Sequence, residues 1–178
     1  AFQRRIQLVA AMNPCRCGMA GEPGHTCARG PRCVADYQAR ISGPLMDRID
    51  LRVEVPAVTP GDLIRSRPGE PSASVAKRVA AARAIQTERY EALAIKGVTT
   101  NHHCPTALIE QVADVDAGGL QLLSDAADRM KFSARAYHRI MKVARTLADL
   151  DGAAQTGRIH VAEAMSYRIA GERLASAA

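Results

Sequence analysis

The first third of the chain carries two hydrophobic patterns that are typical of β-strands. Residues 6–12 form a short, mostly apolar run that ends at Asn13 and Pro14. We expect this run to be a buried strand, which Pro14 terminates because proline has no amide proton to donate to a neighbouring strand. In residues 51–55 apolar and charged side chains alternate, and this period of two also predicts a strand.

The remaining patterns predict helices. Two short helices, 34–42 and 44–49, are separated by Gly43, and Pro44 suits the first turn of the second one. Ser133 is a residue type that caps helix N-termini, and apolar side chains recur at helical spacing after it. The helices of the second part are predicted at 73–93, 105–113, 117–130, from Ser133 to about Leu150 with Gly152 as the stop, and at about 160–170.

Composition changes between Pro56 and Pro71, a stretch that holds four prolines and two glycines. Such stretches are typical of linkers between domains. Residues 102–104 (His-His-Cys) are predicted to be a polar loop. The sequence therefore predicts an α/β fragment in residues 1–57 with a cysteine-rich insertion at 13–33, a linker at 58–71, and an all-α domain in residues 72–178.

Composition and charge narrow the class of protein. Apolar residues make up 47% of the chain, but aromatic residues make up only 3% and tryptophan is absent, so small aliphatic side chains must fill a helical core. The net charge of +6 and the isoelectric point of about 9.4 suit a polyanionic partner, although many soluble domains are equally basic. Because no apolar run approaches the ~20 residues that span a bilayer and no signal peptide opens the chain, we expect a cytoplasmic protein without a membrane partner. The chain begins at Ala1 without a methionine, and we expect it to be a piece of a longer polypeptide.

Four of the five cysteines lie within 19 residues, at the spacing Cys15-x-Cys17-x9-Cys27-x5-Cys33. The glycine-rich backbone between them can fold back tightly, and Zn²⁺ prefers four sulfur or nitrogen ligands at structural sites. We therefore predict a structural zinc site, in which His25 of the same loop could replace one cysteine. Four unligated thiols, or two disulfides formed on oxidation, are the alternatives.

Two arginines, Arg40 and Arg48, lie on either side of a glycine–proline turn. Such a turn could hold a guanidinium at a subunit edge, where it would stabilise phosphoryl transfer at a neighbouring subunit's nucleotide. As isolated residues they are ordinary surface arginines, and Asp47 and Asp50 could pair with Arg48.

Asn13 and Arg135 are candidates because of their places in the predicted elements. Asn13 follows a predicted strand, where ligands bind in α/β sheets, although an asparagine before proline also forms ordinary turns. Arg135 lies in the first turn of its helix, where the helix dipole disfavours a cation, so its position suggests an anionic partner. That helix carries an apolar stripe of Tyr137, Ile140, Met141, Ala144, Leu147 and Ala148, and a basic stripe of Arg135, His138, Arg139, Lys142 and Arg145, most of which would simply face solvent.

Four runs of the sequence together resemble one known family. They are LVAAMNPCRCG at residues 8–18, YQARISGPLMDRID at 37–50, FSARAYHRI at 132–140 and HVAEAMSYR at 160–168. The family is the magnesium-chelatase-like AAA+ ATPases of the ComM/YifB group. The first run looks like the sensor-1 strand of that group, the second resembles its arginine-finger segment, the third resembles its sensor-2 helix, and the fourth is similar to its C-terminal segment. These runs occur in family order over nearly the whole chain.

The resemblance implies a fold and a role for each matching polar residue. The fold would be the last strands of an AAA+ core, followed by an all-α lid domain, in a ring that is expected to be a hexamer. Asn13 would be sensor 1, which positions the attacking water or senses the γ-phosphate. Arg48 would be the arginine finger, with Arg40 as a second candidate. Arg135 would be sensor 2, which couples the lid to bound ATP. The cofactors of the full-length protein would be ATP and Mg²⁺.

The family's phosphate-binding loop is absent, since no G-x-x-x-x-G-K-[ST] pattern occurs in the 178 residues. We expect this loop and the acidic Mg²⁺-binding strand upstream, and we predict that the 178-residue piece alone does not hydrolyse ATP. For the whole protein the resemblance implies a DNA-binding, branch-migration or helicase-type motor that acts in DNA uptake and recombination. The alternatives are a protein-remodelling ATPase of the magnesium-chelatase type and a zinc-stabilised helical interaction module.

Overall fold

A computed structural model describes residues 7–18, 20, 27, 29–30, 32–56, 58, 60–65 and 68–176, without the side chains of residues 60, 65 and 169–176. This part of the chain contains α-helices named here in chain order: α1 Arg32–Gln38, α2 Gly43–Met46, α3 Pro60–Arg65, α4 Ser72–Ala92, α5 Ile109–Ala113, α6 Ala117–Met130, α7 Ala134–Leu150 and α8 Arg158–Ser176. Two 3₁₀ helices, Asn101–His103 and Thr106–Leu108, lie between α4 and α5. No helix in these ranges combines the length and the apolar character that a membrane crossing would require.

Helix α7 is the centre of the helical domain and packs against α8, α4 and α5, while α6 packs on α8. The buried side chains of this core are mostly aliphatic or small, as the low aromatic content predicts, and Tyr90 of α4 joins them. Small residues let helices approach closely, so the core can be dense without many rings. The main members are Ile109, Val112, Leu123, Ile140, Met141, Ala144, Val161 and Ala164.

The two ends of α7 lie where the sequence predicts them. Ser133 precedes the helix in an extended conformation, and its Oγ accepts a hydrogen bond of 3.1 Å from the amide of Ala136. At the other end, Gly152 adopts a left-handed conformation with φ of +67°, which glycine reaches without strain. The predicted N-cap and stop of this helix are therefore confirmed, and so is its apolar stripe, whose residues are buried or partly buried in the core.

A buried polar cluster holds α4, the first 3₁₀ helix and α7 together. The Asp149 side chain is fully buried and forms ion pairs with Arg145, at 2.9 Å, and with Arg89. Asn101 donates to the same carboxylate at 2.8 Å and accepts from the Tyr90 hydroxyl at 3.1 Å. The placement of Arg145 on the basic stripe is thus wrong: its side chain is only 1% exposed, because Asp149 lies one helical turn away and draws it inward.

The predicted strands do not form in the described residues. Residues 7–12 and 51–55 have no regular secondary structure, and they expose apolar side chains such as Val9, which is 85% exposed, and Val55, which is 86% exposed. A strand exists only beside another strand, because its backbone hydrogen bonds must reach a neighbour. The described part of the chain offers only an isolated bridge between Val115 and Thr156. The described residues therefore show the all-α part of the predicted fold but do not show the α/β fragment.

Several short elements differ from their predicted limits. Helix α1 ends at Gln38, so Arg40 lies in the turn that follows it rather than inside a helix. Helix α2 ends at Met46, and α3 lies within the predicted linker. Residues 102–104, predicted as a loop, contribute two residues to a 3₁₀ helix.

Candidate functional site

The cysteine-rich segment brings its sulfur atoms together beside α1. The Sγ atoms of Cys15, Cys27 and Cys33 all lie within 4.8 Å of one another, and Cys33 belongs to the first turn of α1. The Sγ of Cys17 lies 3.1 Å from that of Cys15 and 3.3 Å from that of Cys27. No disulfide joins the described cysteines. His25, the predicted substitute ligand, lies outside the described residues.

Two glycine turns produce this convergence. The amide of Gly18 donates to the carbonyl of Cys15 at 3.1 Å, and the amide of Gly30 donates to the carbonyl of Cys27 at 2.9 Å. Both glycines have positive φ, +80° and +77°, a conformation that side chains with a Cβ rarely adopt. Each turn therefore directs a cysteine at its start toward the same point, and α1 adds Cys33.

The thiols crowd one another in a way that favours a cation. The backbone of Arg29 lowers the pKa of the Cys27 thiol, but the hydrogen bond with Cys17, burial, and hydrogen bonds with Cys33 and Cys15 outweigh it and raise the pKa to about 12. A divalent cation among these sulfurs would reverse that balance, because thiolates are its ligands. The sulfurs of Cys15, Cys27 and Cys33 lie close enough together to hold a metal ion, and Cys17 contacts two of them.

Asn13 lies at the edge of this cysteine cluster. Its side chain is exposed, and its Nδ2 atom lies 4.0 Å from the position that a Cβ would occupy on Gly18. Gln38 at the end of α1 donates to the carbonyl of Pro14 at 3.4 Å. The cluster and α1 thus fix the backbone next to Asn13, while the amide itself stays accessible.

Arg48 follows α2, which Ser42 caps by accepting a hydrogen bond from the amide of Leu45 at 3.3 Å. The Arg48 side chain is exposed, and its Nη1 donates to the carbonyl of Pro44 at 2.9 Å. Among the described residues it has no ion pair. The predicted pairing of Arg48 with the neighbouring aspartates is wrong, because both carboxylates bind arginines of the helical domain instead.

Asp47 and Asp50 attach the chain around Arg48 to the helical domain through α8 and the start of α7. Asp47 accepts from Arg168 Nη2 at 2.6 Å and from Ser133 Oγ at 3.0 Å, and Asp50 pairs with Arg139. Burial raises the pKa of Asp47, but the Ser133 hydrogen bond and the charge of Arg168 outweigh it, so the pKa of that carboxyl is lowered. The sequence interpretation gave no role to Arg168, whose partners lie more than 100 positions earlier and leave no local pattern.

Arg135 is exposed in the first turn of α7 and borders a basic cleft of about 510 Å³. Most of the predicted basic stripe lines this cleft, but Arg145 does not. Burial lowers the pKa of Lys142, whose Nζ donates to the carbonyl of His102 at 2.8 Å. The lining residues are Asp50, His102, Thr106, Ala134, Arg135, His138, Arg139 and Lys142. Three full positive charges against one carboxylate suit an anion such as a phosphate.

The predicted site residues therefore fall into two groups. Asn13 belongs with the cysteine cluster. Arg48 and Arg135 are both related to Asp47, which neighbours Arg48 in sequence and interacts electrostatically with Arg135. Arg40 is exposed in the turn after α1.

Two known protein families match most of the sequence of this chain. The family described as magnesium chelatase, subunit ChlI C-terminal, matches residues 69–168, and the family described as magnesium chelatase, subunit ChlI, matches residues 1–63. Because the first match alone covers more than half of the chain, this chain belongs to the magnesium-chelatase family.

Individual relatives place the chain more narrowly. It is 39% identical over 169 residues to Competence protein ComM of Haemophilus influenzae, a match that covers 94% of this chain and 31% of that protein. It is 38% identical over 172 residues to the uncharacterized protein YifB of Escherichia coli K12, with the same coverage, and 34% identical over 172 residues to the uncharacterized protein Rv2897c of Mycobacterium tuberculosis, covering 97% of this chain and 33% of that protein. It is thus a magnesium-chelatase-like protein of the ComM/YifB type, and it spans about a third of the length of these curated relatives.

Proposed function

We propose that this chain is the C-terminal part of an oligomeric AAA+ ATPase, in which Arg48 completes the hydrolytic centre of a neighbouring subunit. The family membership supports the class of protein. The observation that carries the assignment of Arg48 is that its side chain is exposed. Its Nη1 donates to the Pro44 carbonyl, and the guanidinium has no ion pair among the described residues. A guanidinium of this kind can reach a γ-phosphate and stabilise the charge of the transition state.

The other candidates then take complementary roles. The cleft beside Arg135 suits the phosphates of the subunit's own nucleotide, because it gathers basic side chains at the start of a long helix. Asn13 would orient the attacking water. ATP and Mg²⁺ would supply the transferable phosphoryl group and neutralise its charge, and the phosphate-binding loop would come from sequence outside these 178 residues. Alone, the chain is expected to show no turnover above a buffer blank.

Substitution of Arg48 tests this proposal in the full-length protein. Arg48→Ala should reduce ATP turnover by about 10³-fold or more while nucleotide binding stays close to that of the unchanged protein, because the finger acts on the transition state at another subunit's site. Arg78→Ala is a matched control, since Arg78 is also exposed and pairs only with Glu70 on the surface among the described residues. If turnover by Arg48→Ala equals that of the control, Arg48 is not the finger, and Arg40→Ala becomes the variant to measure.

We also propose that residues 7–12 and 51–55 are strands of the complete AAA+ core. Their exposed apolar side chains would then be covered by neighbouring strands and helices of that core. Amide exchange in the full-length protein should protect both segments, whereas in the 178-residue chain residues 7–12 and 53–55 should exchange quickly.

The cysteine cluster is proposed to hold a structural Zn²⁺ through Cys15, Cys17, Cys27 and Cys33. Metal analysis of the purified chain should find about one zinc per chain, and Cys33→Ser should lose it. Cys104→Ser is the control, because Cys104 is buried in the helical core, away from the cluster. A chain without zinc and with four freely titratable thiols would support unligated cysteines instead.

For the whole protein we propose a ring, expected to be a hexamer, that moves on branched DNA during uptake and recombination. The likeness to a protein named for competence and the net charge of +6 favour this substrate. Binding to branched DNA that falls steeply with salt would support it, since phosphate contacts release counterions. The family match to magnesium chelatase favours protein remodelling as the second candidate, and the absence of DNA binding at low salt would select it.

A further inference from the structure

We propose that Arg168 and Asp47 are positioning residues that lock the Arg48 segment to the start of α7, so that Arg48 and Arg135 of one protomer move as a single rigid unit. This inference rests on the proposed function for its catalytic consequence, but the lock itself is a property of the 178-residue chain. It would couple the nucleotide bound in one subunit to the arginine that the same subunit presents to its neighbour.

The Arg168 guanidinium binds the segment around Arg48. The side chain belongs to α8 and is only 5% exposed. Its Nη2 donates to Asp47 Oδ1 at 2.6 Å and to the Asp47 carbonyl at 3.3 Å, and its Nη1 donates to the Ile49 carbonyl at 3.2 Å. Donors in a fixed fork that bind one carboxylate and two backbone carbonyls define the position of the segment, not only its charge.

The second oxygen of Asp47 extends the lock to α7. Ser133 donates its hydroxyl proton to Asp47 Oδ2 at 3.0 Å, and the same Oγ accepts from the Ala136 amide at 3.1 Å. Ser133 is therefore both the cap of α7 and the link to Asp47. Asp47 directly precedes Arg48, and Arg135 lies two residues after Ser133. The Asp47 carboxylate therefore links the segment that carries Arg48 to the helical turn that carries Arg135.

Further contacts secure the far end of the same segment. Asp50 pairs with Arg139, which lies one helical turn after Arg135 on α7. The amide of Arg52 donates to the Tyr167 carbonyl of α8 at 2.9 Å, and Arg52 Nη2 donates to the Met46 carbonyl at 2.9 Å. Residues 46–52 are thus held to the helical domain by contacts at Asp47, Asp50 and Arg52, and the exposed Arg48 side chain lies between these contacts.

The geometry matters because phosphoryl transfer depends on placement. A misplacement of about 1 Å can slow an enzyme by about 10²-fold. A displacement of the start of α7 by bound nucleotide would carry Ser133, Asp47 and hence Arg48 with it. By contrast, Arg78 of α4 pairs with Glu70, which precedes that helix, and among the described residues neither side chain forms an ion pair with α7.

The lock can be measured directly on the 178-residue chain by hydrogen–deuterium exchange. Arg168→Met should speed amide exchange in residues 46–52 by at least about tenfold and leave α7 protected, whereas Arg168→Lys should retain part of the protection and Arg78→Met should change nothing. Unchanged exchange in 46–52 would overturn the proposal. An equal loss of protection throughout α7 would overturn it too, because Arg168 would then serve general stability.

Turnover by the full-length protein tests the catalytic consequence. Arg168→Met should lower kcat by about 10²-fold with nucleotide KM nearly unchanged. Combining it with Asp47→Asn should cost less than the sum of the two single effects, because both changes weaken the same ion pair. Subunits with Arg168→Met should regain turnover when mixed with Arg135→Ala subunits, which still present a well-placed Arg48. A loss of kcat that mixing does not restore would contradict the positioning role.

The two proposals fail in different ways. If Arg48→Ala leaves turnover unchanged, the finger assignment of the proposed function is wrong, whatever Arg168 does. If Arg48→Ala abolishes turnover while Arg168→Met leaves kcat unchanged, the proposed function stands and the lock has no catalytic role.

Discussion

Residues 72–168 and residues 7–56 have similar kinds of apolar side chain but use them in opposite ways. The helical part buries most of its large aliphatic side chains in one core, whereas the earlier part exposes Leu8, Val9, Leu51, Val53 and Val55. A helix satisfies its backbone hydrogen bonds internally, so a set of helices can close on itself. A strand depends on neighbours, and the described residues provide none. Hydrophobic content alone therefore does not decide where a core forms.

The earlier part is attached to the helical domain mainly by polar contacts. Asp47 binds Arg168, Asp50 binds Arg139, and the Arg52 amide binds a carbonyl of α8. Its own buried residues, Cys15, Cys33 and Val34, form a separate small cluster around the thiols. The two regions should therefore respond differently to the same kinds of perturbation.

The largest effect is expected where the helical domain buries charge. Asp149→Ala would leave Arg145 and Arg89 without their shared carboxylate, and removing one partner of a buried ion pair costs about 3–5 kcal/mol. We expect a loss of this size in the free energy of unfolding, measured by urea denaturation followed by circular dichroism.

The matched change outside the core is Glu70→Ala, which removes the exposed partner of Arg78. Exposed pairs contribute about 0.2–1 kcal/mol, so this variant should unfold almost like the unchanged chain. Equal losses for the two variants would mean that burial at Asp149 does not set the strength of its ion pairs.

A smaller loss is expected from Gly119→Ala in α6. An added Cβ would lie 2.6 Å from Val115 Cγ1 and 3.2 Å from Val161 Cγ2, and such overpacking costs about 1–3 kcal/mol. At Gly118 the nearest atom, Asp116 Oδ1, is 3.6 Å away, so Gly118→Ala should instead stabilise the helix by about 0.5–1 kcal/mol. In thermal unfolding, the midpoint temperature should fall for Gly119→Ala and rise for Gly118→Ala. A rise for Gly119→Ala would mean that the core around this glycine is packed less tightly than the structure shows.

The docking of residues 46–52 should weaken in acid. The pKa of Asp47 is lowered from its ordinary value of 3.8, so its contribution to docking is fully present above that value and is lost as pH falls through the lower folded pKa. NMR shifts of the 46–52 amides, followed from about pH 6 to about pH 3, should move at the acid end before those of α7 change. Asp47→Asn should remove this transition, and its persistence in that variant would assign it to another carboxyl.

The smallest effect is expected where apolar side chains are already exposed. Val53 is 68% exposed, so Val53→Ser should change the free energy of unfolding of this chain by less than about 0.5 kcal/mol. Ile140→Ala in the core should cost about 2–5 kcal/mol in the same urea experiment. A large loss at Val53 would reveal that this segment packs against something in solution.

The sequence predicted features that depend on neighbours in sequence and missed those that depend on distant ones. The Ser133 cap and the Gly152 stop are local signals, and both are confirmed. Arg145 was predicted to face outward because one charged residue on a helix resembles another, and its pairing with Asp149 and the carbonyls of the next loop could not be inferred from spacing alone. Arg168 lies inside the 160–168 run that resembles the family's C-terminal segment, yet its partner Asp47 is 121 positions away.

The candidate site divides in the same way. The spacing of the cysteines predicted a cluster, and the structure brings Cys15, Cys27 and Cys33 together. The catalytic roles of Asn13, Arg48 and Arg135 stay predictions, because they depend on a nucleotide and on a second protomer.

The backbone hydrogen bond from Arg52 to Tyr167, together with the two aspartate–arginine pairs, joins the halves of the chain without using residues 57–71. Non-covalent contacts, and not only covalent continuity through that stretch, therefore hold the two parts together. We expect association in solution between two separately produced polypeptides, one ending at Pro56 and the other starting at Ser72. Their affinity should fall with added salt, because salt screens the ion pairs.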